Sequence, residues 1–442
     1  MTSTVAAEAR STIARAMQSF VIEGGRPLSG TVRAAGNKNG ALPILAACVL
    51  ASEEVRLSNV PRIRDVETMV ELLADLGADV EWSGPNEVRV DAAGMGKTEL
   101  HAGLAREIRA SFLLAGPLLA RFGRVTVPPP GGDVIGRRRL DTHVHAFAAL
   151  GAEFAIDGVY ELTSDGLRGT RVYLDEASVM GTENAIMAAV LAKGETVLGH
   201  AACEPHIQDL CRFLVALGAD IEGIGSNVLR IRGVDTLRGG AHAVGPDHIE
   251  VASFVGLAAA TGGEVVVENV EPDDLISIVP AFRRLGIEME VRDSSVRVPA
   301  GQPLTIEDDL GGQIPKIESG VWPAFPADLT SIAVTVATQA HGTILIFEKM
   351  FESRLFFVDK LVSMGARIIL CDPHRVVVTG PATLYGERLE SPDIRAGMAM
   401  VIAALCAEGP STIGNIRQID RGYEQIDERL RALGAAIERA DL

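Results

Sequence analysis

The hydrophobic and polar positions of the chain repeat one pattern six times. In each copy an alanine- and leucine-rich stretch ends in Leu-Gly-Ala or a close variant, and a run that alternates apolar and polar residues follows. The first stretch predicts a helix, the alternation predicts a half-buried strand, and glycine suits the left-handed position that ends a helix. The six glycines, spaced 67 to 79 residues apart, are Gly77, Gly151, Gly218, Gly286, Gly365 and Gly434.

Each copy is preceded by a second apolar helix, a turn and a strand-like run, as at Gly123 before RVTV and Gly342 before TILI. Each repeat is therefore predicted to be helix, strand, helix and strand pair. A period near 70 residues is longer than that of solenoid repeats, so we expect two similar α/β domains of three repeats each. The glycine-rich stretch 239–246 is the predicted boundary. A duplicated fold indicates no chemistry by itself.

Length and charge restrict the classes of partner. The chain has 442 residues, with 41 basic and 58 acidic side chains and a formal net charge of −17. That length allows two to three domains with cores of their own. The negative charge repels a polyanionic backbone, so we expect no nucleic acid partner. Anionic small molecules stay open as ligands, because they respond to the local field.

The cysteines and the N-terminal segment favour a cytoplasmic protein. The five cysteines are scattered and never spaced as Cys-x-x-Cys, which argues against a disulfide framework and a zinc site. Residues 1–19 lack the apolar run of a signal peptide and are predicted to be a short helical extension. The longest apolar run, 40–51, is shorter than the ~20 residues that span a bilayer, so we expect no membrane segment.

Two segments are candidates for binding an anion. Lys38 and Asn39 stand at the start of the first long helix, where free N–H groups and an ammonium would hold a phosphate. A solvated lysine beside an N-cap asparagine is the commoner arrangement. In PPPGGDVIGRRRLD, residues 128–141, glycines surround Asp133 and three arginines follow, and guanidinium groups match carboxylate and phosphate. A solvated loop would explain the charges but not the glycines.

Further charged residues stand at predicted helix starts in different repeats. Asp328 in PAFPADL has capping as its default role at such a position. Other charged residues at or near helix starts are Arg109, Asp393, Arg395 and Arg421. Arginines from both halves would suit an anion rich in carboxylate and phosphate. His143 and His145 have no third metal ligand nearby in sequence, so we expect catalysis without a metal.

Five segments together resemble the enolpyruvyl transferases, and the resemblance covers about residues 20–442. The segments are NKNGALPILAA at 37–47, IRASFLLAGPLLARFG at 108–123, PGGDVIG at 130–136, PAFPADL at 323–329 and IDRGYEQI at 419–426. The resemblance implies an inside-out α/β barrel of two domains, each with three βαβαββ units. It implies a first domain at 36–246, which includes the glycine-rich loop 128–141. The second domain is 20–35 plus 247–442, and an N-terminal extension occupies residues 1–19.

The resemblance also implies a reaction. The enolpyruvyl group of phosphoenolpyruvate is transferred to the 3′-hydroxyl of UDP-N-acetylglucosamine, phosphate is released, and peptidoglycan synthesis is the pathway served. No cofactor is implied, and the two substrates are the expected small-molecule partners. Such a site needs an acid, a base and cations for the trianionic donor. The oligomeric state is left open.

The motif residues receive roles from the same resemblance. Asp328 would take the hydroxyl proton and Asp133 would be the general acid, with Lys38 and Arg421 also catalytic. The residues implied to bind phosphoenolpyruvate are Lys38, Asn39, Arg138, Arg395 and Arg421. Those implied to face the sugar nucleotide are Asn39, Arg109, Arg138, Arg139, Leu140, Asp141, Thr142, His143, Ser178, Val179, Asp328 and Met350. Asp393 and Arg354 would support the site.

The acceptor side departs from the family's usual pattern. Arg139 and Thr142 stand in the loop that packs around uracil, where proline and an apolar residue are usual, and Met180 replaces a glycine after Val179. Two alternatives therefore stay open. One is an enolpyruvyl transferase that acts on a different nucleotide or hydroxyl acceptor in a specialised pathway. The other is a non-catalytic paralogue that binds sugar nucleotide, against which the intact donor residues argue.

Asp133 stands where most members of the family carry cysteine. Fosfomycin alkylates that cysteine, so the aspartate predicts insensitivity to this inhibitor. A carboxylic acid can protonate carbon if burial raises its pKa, whereas adjacent arginines oppose that shift.

Overall fold

The computed structural model describes residues 18–133 and 135–441, whose contacts divide them into two compact units. Domain 1 comprises residues 35–133 and 138–246, and domain 2 comprises residues 18–34, 135–137 and 247–441. The extension predicted for residues 1–19 lies, through residue 17, outside the described residues. The sequence-based division keeps the whole loop 128–141 in the first domain, whereas the contacts group residues 135–137 with domain 2.

The strands are numbered in chain order. They are β1 (Gln18–Glu23), β2 (Gly30–Arg33), β3 (Val55–Ser58), β4 (Asp79–Gly84), β5 (Glu87–Asp91), β6 (Arg124–Val127), β7 (Glu153–Ile156), β8 (Tyr160–Thr163), β9 (Arg171–Tyr173), β10 (Glu195–Gly199), β11 (Asp220–Glu222), β12 (Val228–Arg232), β13 (Gly240–Ala243), β14 (Val265–Glu268), β15 (Glu290–Arg292), β16 (Ser295–Val298), β17 (Lys316–Glu318), β18 (Gly342–Phe347), β19 (Arg367–Asp372), β20 (Arg375–Gly380), β21 (Arg388–Glu390), β22 (Pro410–Gly414) and β23 (Ala436–Asp441).

The helices follow the same numbering. The α-helices are α1 (Lys38–Ala47), α2 (Arg64–Asp75), α3 (Ala102–Ala105), α4 (Ala115–Phe122), α5 (Asp141–Ala149), α6 (Val179–Ala189), α7 (Pro205–Ala216), α8 (His248–Thr261), α9 (Ile278–Arg284), α10 (Thr330–Ala337), α11 (Val358–Ser363), α12 (Ile394–Cys406) and α13 (Ile426–Ala432). Short 3₁₀ helices are Cys48–Leu50, Arg109–Leu114, Pro272–Leu275, Ala327–Leu329 and Ile416–Arg421.

The described strands form six sheets, three in each domain, and five of the sheets share one topology. One parallel edge pair is followed by two antiparallel pairings, as in β13-β3-β5-β4 of domain 1 and β17-β18-β20-β19 of domain 2. The sheet β6-β8-β7 keeps the antiparallel pairs and has only an isolated bridge, Glu99 to Thr126, where the parallel strand would lie. The six sequence repeats are therefore six copies of one sheet plan.

Strands distant in sequence complete three of these sheets, one of them through the parallel pair of β2 with β14 in domain 2. In domain 1, β13 pairs in parallel with β3. In domain 2, β1 lies between β22 and β23 and pairs with both in antiparallel fashion. Gln18 and Ser19 are therefore strand residues, and the helical extension predicted to run to residue 19 is wrong for these two positions.

Buried helices lie at the centre of each domain. In domain 2 the helices α8, α10 and α12 pack on one another, and nearly all of their residues are buried. In domain 1, α4 packs on α6, and the 3₁₀ helix Arg109–Leu114 packs on α1. Helices that are apolar all round must be covered on every side. The alternating burial of strands such as β12 and β20 shows that the sheets supply this cover with one face.

Among the described residues, none of the helices combines the length and the apolar character that a membrane span requires.

Glu183 is a buried carboxyl in the centre of domain 1. It lies in α6 with 2% exposure, and its Oε1 atom has no hydrogen-bond partner among residues 18–133 and 135–441. Burial, together with the charge of nearby Glu204, raises the pKa of Glu183 well above its usual value. The folded domain therefore favours the protonated carboxyl, because the charged form would lose its hydration.

Replacing Glu183 by glutamine removes this ionisation and keeps the size of the side chain. Because the folded-state pKa is raised, the stability that protonated Glu183 contributes is fully present below the unfolded pKa of about 4.3. As pH rises from there toward the folded pKa, the unfolded state loses this proton first and the free energy of unfolding falls. We expect Glu183→Gln to gain up to about 1.4 kcal/mol of unfolding free energy over wild type per pH unit in that window. Urea unfolding at successive pH values above about 4.3 measures the gain. Glu153→Gln, at an exposed position, is the control, and a gain independent of pH would contradict this account.

Candidate active site

Lys38 is an oriented and paired cation at the start of α1. The Asn37 side chain caps this helix and accepts hydrogen bonds from the N–H groups of Asn39 (2.9 Å) and Gly40 (3.2 Å), as asparagine commonly does at an N-cap. The Lys38 ammonium is 2.9 Å from a carboxylate oxygen of Asp65, and Lys38 is 8% exposed. The solvated lysine that the sequence pattern alone favours is therefore not what the structure has.

Two glycines bring the loop before Asp133 close to the segment that carries Arg109. A Cβ atom at Gly131 would lie 1.7 Å from the carbonyl oxygen of Arg106. Gly132 has φ +108°, and a Cβ there would lie 2.7 Å from Cβ of Arg109. Only glycine fits at these positions. Asp133 follows directly and is half-buried.

Arg109 fastens the C-terminal part of the same loop. Its guanidinium donates to the carbonyl oxygens of Arg138 (2.7 Å) and Arg139 (3.3 Å). Burial, followed by the positive charge of Arg138, lowers the pKa of Arg109 to about 10. Arg109 therefore stays charged at neutral pH, and it lies near Arg138, another arginine predicted to bind the substrates.

The contacts of the three consecutive arginines divide them between the two domains. Residues 135–137 belong to domain 2, where the Arg137 N–H donates to Glu352 (2.9 Å) and the Ser353 N–H donates to Ile135 (3.1 Å). Backbone hydrogen bonds, including that from Arg137, lower the pKa of the Glu352 carboxyl. Arg138 and Arg139 belong to domain 1.

The residues predicted to surround the nucleoside come together in domain 1. Arg139 pairs with Asp141 (3.1 Å) and Asp175 (3.5 Å), and the Thr142 hydroxyl donates to Asp175 (2.8 Å). Ser178 caps α6 by accepting from Gly181 (3.2 Å). Thr142 is 1% exposed, and its bond to Asp175 holds the start of α5 close to the start of α6. Leu140 precedes α5, while Val179 and Met180 form the first turn of α6 and pack against the domain core.

His143 is a core residue of domain 1. Its ring is 1% exposed, makes an edge contact with Phe112 at 5.0 Å and bonds through Nδ1 to the Asn184 amide at 2.9 Å. Burial, followed by the charge of Arg109, lowers the pKa of His143 to about 3. The ring is neutral at physiological pH and supports the loop from inside, so it does not lie open to a ligand.

In domain 2, Asp328 lies between two arginines. Its Oδ1 atom accepts from Arg354 (2.9 Å) and its Oδ2 atom accepts from Arg395 (3.1 Å). The Asp328 side chain is 28% exposed, while those of Arg354 and Arg395 are 5% and 6% exposed. The sequence pattern alone favoured a helix cap for Asp328, whereas the structure gives its carboxylate two guanidinium partners.

In each arginine, one side-chain nitrogen has no hydrogen-bond acceptor among the described residues. The atoms are Nε of Arg354 and Nη1 of Arg395, and both are buried. A buried donor without an acceptor costs about 1–3 kcal/mol.

Capping by Asp393 fixes the start of α12. Its carboxylate accepts from the backbone N–H groups of Arg395 (2.8 Å) and Ala396 (2.9 Å). The Arg395 guanidinium then lies over the ring of Tyr423, 5.4 Å from its centre. Asp393 therefore supports the site through the backbone of α12.

Glu348 is a buried carboxylate that sequence reasoning missed. It accepts from the Thr330 hydroxyl (2.7 Å), just after Asp328, and from the N–H groups of Met350 (2.8 Å) and Phe351 (3.1 Å), just before Arg354. It thus joins the two segments that bring Asp328 and Arg354 together. Glu348 lies in a strand-like apolar run, and a charged residue there is the only signal that the sequence offers.

Two further polar residues complete the description of domain 2. Arg421 ends the 3₁₀ helix Ile416–Arg421 and donates to Gln418 at 2.8 Å. His248 opens α8, and burial, followed by the charge of Arg395, lowers its pKa to about 4. Its ring is therefore neutral at physiological pH beside Asp328 and Arg395.

Each domain holds its own set of predicted residues. Domain 1 brings Arg109 to Arg138 and Arg139, joins 139–142 to the start of α6, and pairs Lys38 with Asp65. Domain 2 brings together Asp328, Arg354 and Arg395. Cations and a partly exposed carboxylate are the groups needed to bind an anion and accept a proton.

Curated relatives match nearly the whole chain. One from Bradyrhizobium diazoefficiens is 56% identical over 95% of this chain and 97% of its own length. One from Treponema denticola is 52% identical over 96% of this chain and 99% of its own length. Both are named UDP-N-acetylglucosamine 1-carboxyvinyltransferase.

Solved structures share the fold. The enolpyruvyl transferase NikO from Streptomyces tendae aligns with a TM-score of 0.86 and 25% identity over 96% of this chain and 99% of its own. EPSP synthase from Acinetobacter baumannii aligns with a TM-score of 0.76 and 19% identity over 96% of this chain and 100% of its own, which shows the fold alone. These likenesses confirm the predicted fold class.

A family model described as EPSP synthase (3-phosphoshikimate 1-carboxyvinyltransferase) matches residues 22–430. The chain belongs to this family of enolpyruvyl transferases.

Proposed function

We propose that the protein transfers the enolpyruvyl group of phosphoenolpyruvate to the 3′-hydroxyl of UDP-N-acetylglucosamine and releases phosphate, the first step of peptidoglycan synthesis. The observation that carries the chemistry is the position of Asp328 between two buried arginines. The identity of the substrates is supported by relatives of 49–56% identity that bear the corresponding name.

In the proposed mechanism the reaction proceeds by addition and elimination. Asp328 takes the proton of the attacking hydroxyl while oxygen adds to C2 of phosphoenolpyruvate, and Asp133 protonates C3. Loss of phosphate from C2, with return of the C3 proton, restores the double bond. Lys38, Arg138 and Arg421 neutralise the donor's charge, and Arg395 binds beside Asp328. No redox step occurs, so the atoms balance without a cofactor.

On the acceptor side, Arg109 and residues 138–142 would hold the nucleotide with Ser178 and Val179, and Asn39 and Met350 would border the sugar. The Thr142–Asp175 and Arg139–Asp175 contacts make this loop polar. That polarity supports the second candidate function, enolpyruvyl transfer to another nucleotide. A phosphate-release assay with purified protein, phosphoenolpyruvate and either UDP-N-acetylglucosamine or other nucleotides separates the two. Binding of UDP-N-acetylglucosamine with no phosphate release from any of the nucleotides would overturn both.

Asp328→Asn removes the proposed proton acceptor and keeps its volume. We expect kcat to fall by at least about 100-fold, because general bases contribute about 10²–10⁴ in rate. Binding of UDP-N-acetylglucosamine, measured by calorimetry, should change by less than about threefold, a difference well below 1 kcal/mol. The exposed Asp308→Asn variant is the control. Turnover near the wild-type rate would end this role for Asp328.

Arg421→Ala removes one proposed contact to the donor. We expect KM for phosphoenolpyruvate to rise at least about tenfold, equivalent to about 1.4 kcal/mol, while KM for the sugar nucleotide changes little. Arg388→Ala removes an exposed cation from β21 of the same domain and serves as the control. Unchanged steady-state affinity for the donor in Arg421→Ala would refute the contact.

Asp133 predicts resistance to fosfomycin, because a carboxylate lacks the nucleophilic thiolate that the inhibitor alkylates. Incubation with fosfomycin should leave wild-type activity unchanged over time. Asp133→Cys should gain time-dependent inactivation and the mass of one covalent adduct. The prediction fails if the wild type is inactivated and carries an adduct on Asp133.

A further inference from the structure

Asp209 joins two segments of domain 1 through both of its carboxylate oxygens. It lies in α7, and its Oδ1 atom is 2.9 Å from Nε2 of His242 on β13. Its Oδ2 atom accepts the N–H of Gly245 at 2.9 Å. The Asp209 and His242 side chains are 13% and 15% exposed. The His242 ring also packs against Phe213 of α7, 5.3 Å between ring centres, which fixes the ring toward Asp209.

The backbone of Gly245 connects Asp209 to the start of α1. Its carbonyl oxygen accepts the N–H of Asn37 at 2.7 Å, and Gly36 forms a bridge with Pro246. The Asn37 side chain in turn caps the helix through Asn39 and Gly40. A continuous series of hydrogen bonds therefore runs from His242 through Asp209 and Gly245 to the turn that carries Lys38 and Asn39.

Asp209 also lies close to this turn in space. A Cβ atom at Gly40 would be 3.6 Å from Oδ2 of Asp209, so α7 lies directly beside the first turn of α1. The carbonyl of the preceding residue, Val244, is held by Asn59 at 2.7 Å. At Gly245 itself, glycine has no side chain to limit its conformations. The Asp209 carboxylate is the side-chain group that restrains the Gly245 N–H.

We propose that Asp209, oriented by His242, is a positioning residue for Lys38 and Asn39 in enolpyruvyl transfer, an inference that rests on the proposed function. A displacement of about 1 Å at a group that binds substrate can cost about 100-fold in rate. Loss of the Asp209 carboxylate would free Gly245 and with it the backbone of Asn37. The effect would reach phosphoenolpyruvate through Lys38, although Asp209 itself touches no substrate.

The test compares Asp209→Ala with Asp209→Asn. Alanine removes both hydrogen bonds, whereas the asparagine oxygen can accept from Gly245 and its amide can donate to neutral His242. We expect Asp209→Ala to lower kcat/KM for phosphoenolpyruvate at least about tenfold, mainly through KM, since it misplaces a binding group. Asp209→Asn should return to within about threefold of the wild-type value, because both bonds are kept.

The control is Asn86→Ala, which removes a 2.9 Å side-chain bond to the carbonyl of Val60 in the same domain. It should lower kcat/KM by less than about threefold, because it leaves the start of α1 in place. Equal losses in Asp209→Ala and Asn86→Ala overturn the proposal, as does an Asp209→Asn variant no better than Asp209→Ala.

Hydrogen exchange separates this proposal from the proposed function. Without substrates, amides of residues 37–47 should exchange faster in Asp209→Ala than in wild type and Asn86→Ala, because the cap is loosened. Unchanged exchange overturns the proposal. Wild-type protein that releases no phosphate with UDP-N-acetylglucosamine contradicts the proposed function instead, and the exchange result still decides whether Asp209 holds this turn.

Discussion

The burial of whole helices is the constraint on which the arrangement of each domain depends. Helices such as α1, α6, α8 and α12 are buried on nearly all sides, and the first N–H groups at their starts need acceptors. The caps are Asn37, Ser178, Asp247 and Asp393. Several candidate residues stand just after these caps, namely Lys38, Asn39, Val179 and Arg395, while Arg109 and Asp328 lie in the 3₁₀ helices before α4 and α10. Polar chemistry is thus concentrated at helix starts because the rest of each helix is enclosed.

The contacts of Asp328 with Arg354 and Arg395 serve both the stability of the domain and the proposed chemistry. Two nearly buried guanidinium groups need a counter-charge, since an unpaired buried charge costs about 3–5 kcal/mol. Asp328 supplies it and stays partly exposed, so its carboxylate is oriented by bonds at both oxygens and is still open to a ligand. Glu348 and Asp393 act one step further away, through backbone N–H groups. Carboxylates therefore hold the site directly, through Asp328, and indirectly, through Glu348 and Asp393.

Sequence predicted the repeat and the two similar α/β domains because both follow from local periodicity, and the resemblance gave the family and its inside-out barrel. The site residues of the motifs stay predictions, although the structure shows what holds many of them. The roles of Asp65, Glu348 and Asp209 were not predicted from sequence. The partners of Asp65 and Asp209 lie 27 and 36 residues away, and Thr330, the partner of Glu348, belongs to another element. The burial of His143 was also not predicted, since a histidine in the polar segment 138–143 gives no sign that Phe112 and Asn184 enclose it. Long-range packing decided each case.

Small residues explain how neighbouring segments approach the helix starts. A Cβ atom at Gly397 in α12 would lie 2.6 Å from Cγ1 of Ile419, inside the 3₁₀ helix that ends at Arg421. A Cβ atom at Gly181 in α6 would lie 3.0 Å from Cγ2 of Thr142. In both places a side chain would push away the segment that carries candidate binding residues. The repeats thus share a sheet plan, while single glycines within the buried helices determine which neighbouring segment comes close enough to add its polar groups.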